Sequence, residues 1–319
     1  MKDVIPRGSM TALVTPFKRD GIDERAFGDF VAWQVRKGTD GLVPCGVAGE
    51  GSTLTEAERD RLIRIAVEAA SRRPVIAATG SNSTEKTIAR TRDARLAGAD
   101  AVLVVTPYYN RPSQEGLFQH FAALAAAVDI PILLENAPDR TGVSLTEATL
   151  ERLRRIPSIV GIVASASGGT APALRPDASR PDFACLAGRD ELAVQHHALG
   201  GSGAVSAIAN LLPGVSAAIQ EACRQHDLAL ASALHRQILP LLVLLDREPE
   251  PVAIKYAVSC LRPGFNPAPR LPLAPPAEAS MRAIEAAVAH LVDTPEGFAE
   301  MILHGDRPGS SGTERARLS

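Results

Sequence analysis

The chain has 319 residues, of which 45% are apolar and 22% charged, and its formal net charge is −2. This near-neutral balance argues against nucleic-acid and anionic-membrane partners, and the longest apolar run, Ile238–Leu245, is far shorter than a bilayer requires. The four cysteines show no CxxC spacing, so we expect free thiols in a reducing compartment rather than disulfides or a metal site. Without a signal-peptide pattern at its start, the chain is expected to be cytoplasmic.

Strand-like runs recur along the first two thirds of the chain, and segments with helical periodicity lie between them. This alternation is typical of a parallel sheet, and eight such units suit a closed barrel. We therefore expect an α/β protein with a (β/α)8 TIM barrel. The predicted strands are Met10–Val14, Gly41–Pro44, Val75–Ala78, Ala101–Val105, Ile132–Glu135, Ile159–Val163, Phe183–Ala187 and Gly203–Ser206.

Capping signals mark the starts of several helices between these strands. Thr55 followed by Glu58 is a capping-box pattern at the start of a predicted helix Glu56–Ser71. Thr84 is predicted to cap the helix Glu85–Leu96, because a hydroxyl side chain can accept a hydrogen bond from the first turn.

The pattern changes after Ser206, where helical segments follow one another without strands. We expect a barrel over residues 1–210, a closing helix and a C-terminal helical domain over 211–303, and a disordered tail over 304–319. The predicted C-terminal helices are Gly214–Gln225, Leu228–Leu245, Pro251–Leu261 and Pro276–Met301.

The crossover segment 168–181 departs from the alternating pattern. It contains Pro172, Pro176 and Pro181 and a pair of glycines. Proline inside a helix removes a hydrogen bond and clashes with the preceding turn. We therefore expect a broken or missing helix between the sixth and seventh strands.

Three motifs point to a known family. They are TPYYNRPSQEG at Thr106–Gly116, GVAGEGSTL at Gly46–Leu54 and NAPDRTG at Asn136–Gly142. With them the chain resembles the dihydrodipicolinate synthase / N-acetylneuraminate lyase family from about residue 8 to about residue 303. The resemblance implies a (β/α)8 barrel with a helical C-terminal extension, no cofactor, and a homodimer or homotetramer. It also implies pyruvate-dependent lyase chemistry at the C-terminal ends of the strands, where a lysine forms an imine with the ketone.

The chain departs from the family pattern at four positions. Val163 stands where the family has its imine-forming lysine, and residues 154 to 180 contain no lysine. Val47 and Ala48 replace two hydroxyl residues that bind the pyruvate carboxylate, so the anion loses donors. Glu135 replaces a tyrosine that relays protons.

Other positions keep the family pattern. Tyr109 matches a tyrosine that reaches across a subunit interface, and Arg140 matches an arginine that binds a substrate carboxylate. Gly188 and Val205 match positions on the pocket floor. Two roles remain open for Glu135, which either pairs with an arginine such as Arg140 or serves as a catalytic base. Tyr109 is more consistent with packing at an interface than with proton transfer.

Lys255 is a candidate to supply the amine that the family's lysine would provide. It lies in EPEPVAIKYA, a helical pattern in which relatives also carry a lysine, so we interpret it as a structural residue. Glu50 is interpreted as a turn or helix-entry residue rather than an acid.

Four changed residues around one predicted site favour a repurposed, lyase-like enzyme. This enzyme would act on a small polar or carboxylate-bearing substrate without an imine. In this hypothesis Glu135 is the general acid or base, Arg140 binds the substrate, and Tyr109 donates a hydrogen bond. The alternative is a non-catalytic relative that binds a small ligand or a partner subunit. An ordinary pyruvate lyase with another lysine is the third possibility. The residues expected to line the substrate site are Val47, Ala48, Gly188 and Val205.

Overall fold

The computed structural model describes residues 5–165 and 180–292. The predicted break at 168–181 falls almost entirely outside these ranges, and the predicted tail at 304–319 lies outside them.

Eight parallel strands form one nearly closed barrel in the order β2-β1-β8-β7-β6-β5-β4-β3. A parallel bridge between Leu42 and Val75 joins the two ends of this sheet. The predicted (β/α)8 barrel is therefore confirmed, and the ends of each predicted strand lie within two residues of the observed ends. The strands are β1 (Gly8–Ala12), β2 (Gly41–Val43), β3 (Ile76–Ala78), β4 (Ala101–Val105), β5 (Ile132–Asn136), β6 (Ile159–Ala164), β7 (Ala184–Ala187) and β8 (Gly203–Ser206).

Helices pack around the outside of the barrel, and a small antiparallel hairpin of Phe17–Lys18 and Gly21–Ile22 follows β1. Single 3₁₀ turns precede α7 and α8, at Asp190–Leu192 and Ile208–Asn210. The helices are α1 (Glu24–Arg36), α2 (Glu56–Ala69), α3 (Thr84–Leu96), α4 (Gln114–Ala127), α5 (Pro138–Thr141), α6 (Glu147–Arg154), α7 (Ala193–Ala198), α8 (Pro213–Arg224), α9 (Leu228–Leu245), α10 (Val252–Leu261) and α11 (Glu278–Val292).

The helix starts confirm one capping prediction and correct another. At α2 the Thr55 hydroxyl accepts from the Glu58 backbone N–H at 3.2 Å, and the Glu58 carboxylate accepts from the Thr55 N–H at 3.0 Å. At α3 the cap is Ser83, whose hydroxyl accepts from the Lys86 N–H at 3.3 Å. The prediction of Thr84 as the cap was wrong because two adjacent hydroxyl residues offer the same capping chemistry.

Strand alternation separates two apolar cores. Leu133 and Val163 point into the barrel interior, whereas their neighbours Leu134 and Ile162 point outward to the helices. Successive side chains on a strand face opposite sides. Glu135, two residues after Leu133, therefore points to the inner side at the end of β5.

α9 is long and apolar enough to span a membrane, judged by its length and composition only. It packs against α8 and α11, and its residues Ala231, Leu234, Ile238 and Leu241 are buried. These contacts show that one face of α9 packs against the rest of the protein, while 28% of the helix is buried.

A buried ion pair connects the barrel to the C-terminal helices. Lys255 Nζ on α10 lies 2.7 Å from Glu50 Oε1 in the loop after β2, and the two side chains are 0% and 1% exposed. Lys255 also donates to the Ala268 carbonyl at 2.9 Å, and Glu50 accepts from the Arg270 backbone N–H at 2.8 Å. These contacts confirm the interpretation of Lys255 as a structural residue.

We expect Lys255→Met to destabilise the protein by about 3–5 kcal/mol, because it leaves the Glu50 carboxylate buried without its cation. The double variant Lys255→Met/Glu50→Gln should lose less stability, since it removes both charges. Urea denaturation measures the effect. The matched control is Lys86→Met, since Lys86 is 53% exposed and its ion pair with Glu56 is long at 3.5 Å. Equal losses in the Lys255 and Lys86 variants would contradict a stabilising role for the buried pair.

Candidate active site

A cavity of about 620 Å³ lies at the C-terminal ends of the barrel strands, between the barrel and the loop that joins α9 to α10. This is the edge at which (β/α)8 barrels place their catalytic groups, and the volume suits a small ligand. The floor is apolar and the rim carries acidic and basic side chains. The apolar floor includes Ala12, Val43, Leu103, Val163 and Val205.

The structure brings most of the predicted site residues together. Glu135, Arg140 and Val163 line the cavity, as do all of the predicted substrate-site residues, which are Val47, Ala48, Gly188 and Val205. Their catalytic and binding roles are taken up as proposals below.

Tyr109 does not line the cavity of this single chain. Its side chain is 90% exposed, and its backbone adopts a positive φ of 73°. A bulky residue in this region of backbone space is strained by about 1–3 kcal/mol. Its predicted place at a subunit interface remains a prediction.

Glu135 stands at the end of β5 with Val105 and Val163 as its neighbours in the adjoining strands. The side chain is partly buried and has no hydrogen-bonding partner among the described residues. Burial, followed by the nearby Glu250 carboxylate, raises the pKa of Glu135 to about 7, and the Arg140 guanidinium opposes this shift. A carboxyl with this pKa can both accept and return a proton near neutral pH.

Arg140 is placed by the one-turn helix α5, which runs from Pro138 to Thr141 and is followed by Gly142 with a left-handed φ of 71°. Its guanidinium donates to the Glu250 carboxylate at 2.5 Å. The direct partner of Arg140 is therefore Glu250 and not Glu135. Sequence reasoning missed Glu250 because it lies 110 residues away and no local pattern marks it.

Val163 lies at the strand position where the resemblance implies a lysine. It is 1% exposed and packs in the barrel interior. No described residue that lines the cavity is a lysine. Lys255, the fully buried lysine in the described ranges, is held by Glu50 instead.

The loop that carries Val47 and Ala48 is fixed from below by Arg59 on α2. The Arg59 guanidinium donates to the carbonyls of Gly51 at 2.5 Å and Ala78 at 2.7 Å. A Cβ at Gly51 would lie 2.0 Å from the Cys45 carbonyl oxygen, so the loop can turn this tightly only with glycine. The two apolar side chains are thereby held at the cavity wall.

Gly188 allows the ends of β6 and β7 to approach each other. A Cβ at this position would lie 2.0 Å from Ser165 Oγ and 3.0 Å from the Ala164 carbonyl oxygen. The missing side chain therefore shapes the cavity wall rather than contributing a functional group.

Two rim residues, Arg189 and Asp190, were also missed. Asp190 accepts from the backbone N–H groups of Ala207 and Ile208 at 3.0 and 2.9 Å. Burial raises the pKa of Asp190 to about 6, against the lowering effect of hydrogen bonds from Ser206 and Ile208. Arg189 forms an ion pair with the neighbouring Glu191. The polar run directly after β7 was the available signal, since strand ends face the cavity.

Within the described ranges, no cluster of three or more histidine, cysteine, aspartate or glutamate residues is arranged to hold a metal ion.

Comparisons with known proteins identify the family. The model of the Dihydrodipicolinate synthetase family matches residues 5–291. The chain belongs to this family. It is 46% identical over 287 residues to the 4-hydroxy-tetrahydrodipicolinate synthase of Rhodospirillum centenum, covering 88% of this chain and 97% of the relative. It is 44% identical to the synthase of Acidiphilium cryptum, covering 89% and 98%.

Solved structures of the family share the fold. Dihydrodipicolinate synthase from Aquifex aeolicus superposes with a TM-score of 0.84 at 33% identity, covering 89% of this chain and 98% of that one. The chloride-inhibited enzyme from Acinetobacter baumannii, crystallised with pyruvate, superposes with a TM-score of 0.82 at 37% identity, covering 90% and 98%.

These relatives correct the functional hypothesis drawn from the replaced residues. Chains that are 46, 44 and 42% identical to this one over nearly their whole length are named as synthases. The prediction of an enzyme repurposed for other chemistry, and its alternative of a non-catalytic relative, are contradicted by this similarity. The predicted enzyme class holds at its coarse level: this member of the dihydrodipicolinate synthetase family is a carbon–carbon lyase.

The raised pKa of Glu135 predicts a pH-dependent effect of Glu135→Gln on stability. The unfolded chain ionises this carboxyl near pH 4.5 and the folded chain near pH 7. Ionisation therefore favours the unfolded chain in this window, and wild type loses stability relative to the variant as pH rises through it. We expect the difference in melting temperature to grow from pH 4.5 to about 7 and then to stay constant.

Thermal unfolding at several pH values measures this difference, and Glu115→Gln on α4 is the control. The Arg152 guanidinium lowers the pKa of Glu115, so its variant should show a small effect of opposite sign. A difference between wild type and Glu135→Gln that does not change with pH would contradict the raised pKa.

Proposed function

We propose that this chain performs the reaction for which its relatives are named, 4-hydroxy-tetrahydrodipicolinate synthesis, on a small oxo acid bound in the cavity. The observation that carries this proposal is the 46% identity over 97% of the Rhodospirillum centenum synthase. The cavity at the strand ends supports it, because it offers a cation and a proton-exchanging carboxyl above an apolar floor. Pyruvate is the first substrate to test, since it is bound in the Acinetobacter baumannii structure.

Arg140 is proposed to bind the carboxylate of the oxo acid. A guanidinium presents a planar fork of donors that matches a carboxylate. Val163 and Val205 lie on the cavity floor, where they offer apolar contacts to the methyl group of a molecule such as pyruvate. Val47 and Ala48 add further apolar wall, and Gly188 leaves room beside the strand ends.

Glu135 is proposed to move the proton at the carbon beside the ketone. Removal of that proton creates the nucleophilic carbon of an aldol-type condensation, and its return completes the reverse reaction. The pKa of Glu135 near 7 suits this exchange, because an acid–base group works best when its pKa lies near the working pH.

Val163 lies on the cavity wall at the position where the resemblance implies the imine-forming lysine. Imine formation with a ketone consumes a primary amine, and valine has none. The role proposed for Val163 is therefore an apolar contact with the substrate.

The chain is further proposed to work in the cytoplasm as a homodimer or homotetramer. Cys45, Cys185 and Cys223 are buried free thiols, which suits a reducing compartment. Tyr109 is 90% exposed in the single chain, and a second copy of the chain would cover this aromatic ring at the proposed interface.

We expect wild type to consume pyruvate in the presence of an aldehyde partner. Glu135→Gln should lower kcat by about 10²–10⁴-fold, because the amide cannot exchange a proton. Arg140→Gln should mainly raise KM for pyruvate, since it removes a substrate-binding cation. Steady-state kinetics separates the two effects, and Glu115→Gln on the outer face should behave as wild type. A wild-type protein that neither binds nor consumes pyruvate would contradict the proposed function.

A further inference from the structure

The cation proposed to bind substrate is already engaged by the protein. Arg140 Nη2 lies 2.5 Å from Glu250 Oε2, and both side chains line the cavity. Arg140 comes from α5, after β5, whereas Glu250 comes from the loop between α9 and α10. The ion pair therefore joins two separate segments at the cavity in which a small acid would bind.

We propose that Glu250 is an internal competitor, a carboxylate of the protein that occupies Arg140 in the empty cavity and must be displaced by the carboxylate of the substrate. This inference rests on the proposed function only in naming the ligand as a small carboxylic acid. It makes Glu250 a residue that sets the affinity of the cavity for acids.

The surrounding charges support competition rather than a passive contact. Arg189, a second arginine of the lining, also forms ion pairs, with Glu191 and with Asp246 at 3.8 Å. An incoming anion therefore meets protein carboxylates already in contact with both guanidinium groups.

The Arg140–Glu250 pair is open to exchange with a ligand carboxylate. The two side chains are 48% and 33% exposed, so water can solvate Glu250 when it is released. Ion pairs within reach of water contribute little to stability, and a ligand carboxylate in the same position can replace this contact. The buried pair of Lys255 and Glu50, with both side chains at most 1% exposed, does not meet this condition.

Calorimetric binding of pyruvate and of its neutral analogue pyruvamide tests the proposal. We expect Glu250→Gln to bind pyruvate about tenfold more tightly than wild type, since Arg140 no longer has a charged competitor. The affinity for pyruvamide should stay the same, because it carries no carboxylate. In the Arg140→Gln background, adding Glu250→Gln should give no gain.

Glu248→Gln is the matched control. Glu248 lies two residues earlier in the same loop, and its carboxylate accepts from the Ala277 backbone N–H at 3.2 Å. It removes the same single negative charge without freeing Arg140, so pyruvate affinity should match that of wild type. Glu250→Ala serves as a second variant with the same expectation as Glu250→Gln, and melting temperatures verify that each variant is folded.

Unchanged or weaker pyruvate binding in both Glu250 variants would overturn the proposal, as would an equal gain in Glu248→Gln. Turnover is measured separately and tests the proposed function alone. If the Glu250 variants bind pyruvate more tightly but wild type shows no turnover, the proposed function is refuted and the proposed competition by Glu250 is supported. If wild type turns pyruvate over but the Glu250 variants bind it no more tightly, the proposed function is supported and the proposed competition is refuted.

Discussion

The cavity depends on the buried ion pair between Glu50 and Lys255. Glu50 follows the loop of Val47 and Ala48 on the barrel side, and Lys255 follows the loop that delivers Glu250 on the helical side. Burying two charges is costly and is repaid only when geometry and additional hydrogen bonds are good. The bonds to Ala268 and from Arg270 supply them. This contact thus ties the loop after β2 to helix α10, two segments that lie next to cavity-lining residues.

The replaced residues form a physically consistent set. Val47, Ala48 and Val163 line the cavity with apolar surface, and an apolar surrounding disfavours a charged carboxylate. Glu135 in this setting has a pKa of about 7 instead of a value near 4.5. Burial, followed by the nearby Glu250 carboxylate, causes this rise in the pKa of Glu135, and the Arg140 guanidinium opposes it.

Local patterns predicted what depends on neighbouring residues. The period of two along Leu133, Leu134 and Glu135 indicates which side chains face inward, and the strand ends place the cavity floor. The pairing of Arg140 with Glu250 could not be predicted, because it depends on how a loop 110 residues away folds over the barrel. The pairing of Glu50 with Lys255 could not be predicted for the same reason, although the sequence did indicate a structural role for Lys255.

The functional hypothesis is wrong for a different reason. It rested on four altered positions, whereas the chain as a whole covers 97% of a named synthase at 46% identity. The barrel and the place of the cavity at its strand ends agree with that wider similarity. The four altered positions all line the cavity, where Glu135 is the residue proposed to exchange a proton.

The most direct test of the central claim is a crystal structure of the chain grown with pyruvate. The account predicts pyruvate in the cavity, with its carboxylate on the Arg140 guanidinium in place of Glu250 and its ketone beside Glu135. Pyruvate bound elsewhere, or an Arg140–Glu250 pair left intact beside it, would contradict the account.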